Sequence, residues 1–134
     1  SYREFTLGPD EILNKLNFGR AHHRIIYFVG KQKTITIKDL LAILKITKQS
    51  LSRVLNQLVK EKYIIVSIGE DKRTKNLSLT KLGFELENQL SKIQIDNIKN
   101  IFRKIDERDI NGFKKILYAM IDDKNKKIFD EINK

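Results

Sequence analysis

The 134-residue chain has no cysteine, one proline (Pro9), six glycines, two histidines and no long apolar run. Without cysteine there is no disulfide, no thiolate metal ligand and no thiol-based redox switch. One proline, no low-complexity stretch and no internal repeat argue against long linkers, and residues 1–134 are expected to form a single domain. No window approaches the roughly 18 consecutive apolar residues of a membrane span, and no charged-then-apolar leader precedes a small-residue cleavage site. The expectation is a cytoplasmic protein with no membrane partner. The chain opens at Ser1 rather than at a methionine, so native residues are expected to precede it.

The same scarcity bounds the chemistry. His22 and His23 are adjacent, and neighbours on a helix point about 100° apart, a poor geometry for a shared metal or an acid–base pair. There is no nucleophile elbow, no phosphate-binding glycine loop and no pair of carboxylates with a plausible cleft. An enzyme is not expected, nor a metal or a cofactor. For the two histidines the plain reading is a partly buried structural role, and the functional one a small-molecule crevice shared with Arg24 and Tyr27.

What the chain does have is positive charge, concentrated in one segment. Twenty-seven Lys and Arg against 17 Asp and Glu give a net charge of +10 and a pI near 9.8. Residues 31–81 hold twelve of the basic and four of the acidic residues, which is +8 of that total. A basic surface gains free energy by releasing the counterions condensed on nucleic acid, so a polyanionic partner is indicated. Lysine-rich composition alone also produces basic proteins with no such partner; the clustering favours one. Hydrophobic residues make up 40% of the chain, enough for a real core.

The apolar spacing within that segment orders it. Residues 9–17 read as a short helix started by Pro9 and acids, with Ile12, Leu13 and Leu16 inward, or as the tail of a longer helix. Residues 19–30 read as a buried helix carrying Ala21, Ile25, Ile26, Phe28 and Val29, ended by a left-handed cap at Gly30 and a basic turn from Lys31 to Lys33. Thr36 and Asp39 have capping-box spacing ahead of Ile37, Leu40, Leu41 and Leu44 at i, i+3, i+4 and i+7. After the turn Lys45-Ile46-Thr47, with Thr47 placed as the next N-cap, Leu51, Val54, Leu55 and Leu58 repeat the spacing. This predicts two short amphipathic helices joined by a tight turn.

The outward face of the second helix carries Lys48, Gln49, Ser52, Arg53, Asn56 and Lys60. Arg pairs with guanine N7 and O6, Gln and Asn with adenine N6 and N7, and Lys and Ser reach phosphates or base edges. The plain alternative is a solvated helix face. The next elements tip the balance: residues 63–68 alternate as a strand partly covered on both sides, and Leu77-Ser78-Leu79 alternate as its partner. The polar connection from Gly69 to Asn76 projects Lys72, Arg73 and Lys75. Arg73 at its tip suits a narrow minor groove, with Asp71 as support; a local Asp71–Arg73 ion pair is the plain alternative. From Thr80, Leu82, Leu86, Leu90, Ile93, Ile98, Ile101, Phe102 and Ile105 predict a helix of about 25 residues. Residues 106–109 are placed to cap a last helix with Phe113, Ile116, Leu117, Met120 and Ile121 on one face, followed by a charged tail. Such a stripe favours pairing across a dimer; the alternative is that it folds back on the domain.

The helix-turn-helix run TIKDLLAILKITKQSLSRVLNQLVKEKYI and the wing EDKRTKNLSLTKLG resemble the MarR family of bacterial winged-helix transcription regulators. The wing matches the family pattern of Asp, any residue, Arg, then Leu-Thr and Gly after the second strand, and the likeness covers roughly residues 18–121. It implies a mainly α fold with a small β-hairpin wing: a winged helix-turn-helix core at 31–83, flanked by helical dimerisation segments at 1–18 and 84–134. It also implies an intertwined homodimer on a palindromic operator in double-stranded DNA. The recognition helix would run from about Thr47 to Glu61, with DNA contacts from Thr47, Lys48, Gln49, Ser50, Ser52, Arg53, Asn56, Lys72, Arg73 and Lys75, and wing support from Asp71. In many family members a small aromatic or phenolic effector enters a crevice beside the winged domain, for which His22, His23, Arg24 and Tyr27 are the candidates here. The competing readings are a winged-helix protein–protein adaptor, which has no need of a shared basic face, and a nonspecific nucleic-acid binder.

Overall fold

In a computed structural model describing residues 1–32, 34–70 and 72–132, the elements in order are α1 (Tyr2–Lys15), α2 (Arg20–Lys31), β1 (Ile35–Thr36), α3 (Ile37–Leu44), α4 (Lys48–Lys60), β2 (Ile64–Ile68), β3 (Lys75–Leu79), α5 (Lys81–Phe102), α6 (Glu107–Ala119) and α7 (Asp123–Ile132). The chain divides into two compact units, residues 1–93 and 94–134.

In the first unit, the apolar stripes of the short helices meet over a small sheet. Ile25, Ile26 and Val29 of α2, Leu40 and Leu44 of α3, and Leu51 and Leu58 of α4 are buried together. The sheet has the order β1–β3–β2, all antiparallel, with Leu77 facing Ile35 on one side and Val66 on the other. Leu77, Ile35 and Ile64 close the core from below. The N-terminal half of α5 seats Gly83, Leu86, Glu87 and Leu90 inward, the i, i+3, i+4, i+7 line of a buried helical stripe. Glu87 is the one carboxylate on that line. It accepts a hydrogen bond from Ser91 Oγ (2.6 Å) and lies 3.8 Å from Lys31 Nζ of α2, so the buried charge is partnered.

In the second unit, α6 has no buried residue. Its local ties include a Tyr118–Phe129 edge contact at 5.8 Å, a Tyr118 hydroxyl to Asp130 hydrogen bond at 3.4 Å and Lys114 lying over the Phe102 ring.

Several expectations are corrected. The first helix is the longer of the two alternatives: it begins at Tyr2 rather than near residue 9, and Pro9 is buried inside it; the helix tolerates the lost hydrogen bond to the Phe5 carbonyl because its inner face packs on the core. Gly30 is not a left-handed cap: α2 continues through Lys31 and leaves it at an extended Gln32. Gly30 is needed for space instead, since a Cβ there meets the Leu79 side chain at 2.9 Å and Glu87 Cγ at 3.3 Å. Ala21 and Leu82 are exposed rather than inward. Lys33, the end of the expected basic turn, lies outside the described residues. β1 was not foreseen. Strand β3 takes in Lys75 and Asn76, which had read as turn. β2 is covered only at Ile64, leaving Ile65, Val66 and Ile68 exposed. α5 stops at Phe102 and α6 at Ala119, so Ile105, Met120 and Ile121 fall beyond them, and the charged tail forms the separate helix α7.

Candidate nucleic-acid interface

The helix-turn-helix is fixed by hydrogen bonds at both of its starts. Asp39 Oδ2 accepts from the Thr36 N–H (2.9 Å) and hydroxyl (2.7 Å), while Thr36 Oγ1 accepts from the Asp39 N–H (3.1 Å), a reciprocal capping box. Lys45 ends α3 in left-handed backbone, φ 51°, and its N–H returns to the Leu41 carbonyl. A guanidinium nitrogen of Arg24 reaches the Leu44 carbonyl at 3.4 Å, giving this free helix end a donor from α2. Thr47 Oγ1 then accepts from the Ser50 N–H (3.1 Å) and donates to Ser50 Oγ (2.9 Å), starting α4.

Inward, α4 buries Leu51, Val54, Leu55 and Leu58. Outward, Lys48, Gln49, Ser50, Ser52, Arg53, Asn56 and Lys60 are all exposed, as is Thr47. A row of one guanidinium, two ammonium groups, two amides and two serines, on a helix whose positive end starts at Thr47, suits phosphates at that end and base edges along its length.

The hairpin follows directly. Lys62 turns the chain with φ 64°, and β2 pairs with β3 from Ile64–Leu79 to Ile68–Lys75. The Gly69 N–H donates to the Thr74 carbonyl at 2.8 Å and closes the loop. Lys72, Arg73 and Lys75 are exposed there; Asp71, the expected support for Arg73, lies outside the described residues. The Leu-Thr-x-x-Gly ending of the wing has a physical explanation. Thr80 Oγ1 donates to the Lys62 carbonyl (2.6 Å) and accepts from the Gly83 N–H (3.0 Å), capping α5 and tying the end of the hairpin to its beginning. Gly83 then runs against the Tyr63 carbonyl, where a Cβ has no room.

The four α2 residues named for a crevice look in different directions. Arg24 serves the end of α3. Tyr27 is half-buried, edge-on to Phe28, with Lys31 Nζ 5.3 Å from its ring centre. Burial holds the His23 imidazole below the ordinary histidine value, opposed by the charges of Glu87 and Asp10. Asp10 itself is kept below the usual carboxylate value by its hydrogen bonds to Arg20, which also holds Tyr2 and Thr6 and so clips α1 to α2. His22 is buried, stacked on Phe18 at 4.6 Å, and 2.8 Å from Gln57 of α4. Gln57 escaped the sequence reading. Its only signal was position, on the border between the leucine face and the polar face of α4.

A capped helix, a left-handed turn, a second helix with an exposed polar face and an antiparallel hairpin tied back to it define a winged helix-turn-helix protein. The chain belongs to the MarR family. Residues 16–74 match the MarR family profile, and over 123 residues the chain is 39% identical to the HTH-type transcriptional regulator PetP of Rhodobacter capsulatus, covering 91% of this chain and 74% of that one. Solved structures with the same fold include the S. aureus MepR–DNA complex (TM-score 0.70, 21% identity, 89% of this chain and 88% of that). Others are Streptococcus pneumoniae FabT in complex with DNA (0.69, 24%, 77% and 72%) and apo MarR from E. coli (0.69, 18%, 90% and 91%).

Proposed function

We propose that the protein is a homodimeric, cytoplasmic transcription regulator that binds a palindromic operator, α4 lying in the major groove and the hairpin in the flanking minor groove. The observation that carries this reading is the α4 surface: seven exposed donor-bearing side chains on a helix whose opposite face is locked into the core by four buried apolar residues. Lys72, Arg73 and Lys75 extend the positive surface beyond the helix. The DNA-bound state of the MepR and FabT structures supports the same reading, and a family of regulators argues for occupancy of DNA rather than catalysis.

Dimerisation through residues 1–18 and 84–134 is supported by apolar side chains left open in both segments. Tyr2 and Leu7 are exposed near the start of the chain, and Ile116 and Met120 are 62% and 77% exposed near its end. Burial of such groups is worth about 25 cal/mol per Å², and a two-fold pair buries each set twice. A dimer seated on a promoter obstructs transcription, so repression is the proposed sense, relieved by a small aromatic effector bound beside α2. Nuclease footprinting on the DNA upstream of the protein's own gene tests the core of this. Two protected half-sites, centred about 10 base pairs or a multiple apart, are expected. Protection spread evenly over any sequence means nonspecific binding, and no protection at low salt means a protein-binding role.

A further inference from the structure

The polar side chains of α4 differ in what already engages them. Thr47 Oγ1 and Ser50 Oγ are bonded to each other and hold the start of the helix. Gln57 is turned to the body of the protein, its carbonyl oxygen 2.8 Å from His22 Nε2 and its amide nitrogen 3.0 Å from Glu61 Oε1. Gln49, Arg53 and Asn56 are exposed, and among the described residues none of the three has a side-chain hydrogen bond or ion pair. Their spacing is i, i+4 and i+7, a single line along a helix. At about 100° per residue that line runs opposite the buried stripe of Leu51, Val54, Leu55 and Leu58, so it is the part of α4 that stands furthest from the core. Lys48 and Ser52 flank it along one edge, where the phosphates run beside a helix lying in a groove.

We infer that α4 reads a half-site in which a G·C pair stands between two A·T pairs, with Arg53 on the guanine and Gln49 and Asn56 on the adenines to either side. This rests on the reading of α4 as the helix in the major groove. The guanidinium presents a fork of donors that matches guanine O6 and N7, whereas an amide offers one donor and one acceptor, which match adenine N7 and N6. From Gln49 to Asn56 the helix rises about 10 Å, about three base-pair steps of 3.4 Å, so the three contacts fit within one half-site of about four base pairs. Arg53 lies between the two amides along the helix axis, and this sets the order. Gln57 has the chemistry of an adenine reader and stands next to Asn56, but its two polar atoms are held by His22 and Glu61 and it takes no part.

The test begins with selection of binders by the full chain from duplexes with a randomised core, for wild type, Arg53→Ala, Gln49→Ala and Asn56→Ala. All three substitutions fall on exposed side chains, away from the core. Wild type is expected to return paired half-sites with a G·C pair between two A·T pairs. Arg53→Ala is expected to return the same half-sites without the guanine preference, and each amide variant to release one flanking A·T pair alone. Guanine retained by Arg53→Ala, or missing from the wild-type half-sites, overturns the inference.

A second measurement separates contact with the base from recognition of DNA shape. In a selected duplex, 7-deazaguanine replaces that guanine, which keeps the base pair and removes the N7 acceptor. Wild-type affinity is expected to fall about tenfold, and that of Arg53→Ala to change less than about twofold. Equal loss in both proteins, or no loss in wild type, takes Arg53 off the guanine and overturns the inference. A wild type that selects no sequence overturns the reading of α4 as well, whereas selected half-sites of another composition leave that reading standing and remove this inference alone.

Discussion

At Gly83 a single hydrogen atom sets the join between the hairpin and α5. A Cβ built there meets the backbone carbonyl of Tyr63 well inside any permitted contact, and the obstruction is backbone rather than a side chain that can swing away. Gly83→Ala is therefore expected to destabilise the fold by about 1–3 kcal/mol, as overpacking does, read as a lower urea midpoint. Gly30 is also a spacing glycine, where the sequence had suggested a left-handed cap. Glycine is visible in a sequence, but whether it supplies a backbone angle or clears room for a neighbour depends on what packs over it, here Leu79 and Glu87, far along the chain.

Two titratable residues give stability a defined pH dependence. His23 is held neutral by burial, so its folded value lies below its unfolded one. The stability linked to it is complete above about pH 6.5 and is lost as pH falls through the folded value. Asp10 is depressed by Arg20, and its share is present above about pH 4 and lost on further acidification. The expected urea midpoint is flat above pH 7 and falls in two stages below it, and His23→Gln should remove the upper stage. A wild-type midpoint that holds constant from pH 7.5 to pH 5 contradicts the His23 assignment.

Among the elements, α3 and α4 were legible because their four-residue apolar lines are contiguous and their caps, Thr36 with Asp39 and Thr47, stand immediately before them. The hairpin was legible only in outline, from the alternation at residues 63–68 and 77–79, while Lys75 and Asn76 had read as turn and join β3 instead. β1 was not, since two residues carry no period and Ile35 becomes a strand only by pairing with Leu77 beyond both helices. α1 was shortened in the reading because Pro9 normally starts a helix, and only its burial on the core reveals it as interior. On the candidate interface, the polar face of α4 was readable from spacing, whereas the contact of Gln57 with His22 depends on how α2 crosses α4. The wing gives the sharpest element-level prediction. Arg73 is exposed on the hairpin loop and carries no packing load, so Arg73→Ala should weaken operator binding by about tenfold, the loss of roughly one good contact of 1–3 kcal/mol, with an unchanged melting temperature. Equal affinity for the two proteins removes the hairpin from the interface.

For the molecule as a whole, charge is distributed unevenly along the chain. Positive charge gathers between residues 31 and 81, where the helix-turn-helix and hairpin stand. Uncovered apolar side chains stand near both ends of the chain, at Tyr2 and Leu7 and again at Phe113, Ile116 and Met120, and also on β2, at Ile65, Val66 and Ile68. On the proposed function, the basic segment meets the polyanion and the open apolar side chains at the two ends meet a second copy. None of the described helices is long and apolar enough to cross a membrane, so the apolar ends are not explained by a single spanning helix.

The most direct test of this account is a salt series of binding to the DNA upstream of the protein's own gene, with excess unrelated duplex present. Affinity should fall steeply and linearly on a log–log plot, by about 0.9 per phosphate contacted, and the complex should survive the competitor. Binding that is insensitive to salt, or that any duplex removes equally well, would contradict a site-specific regulator.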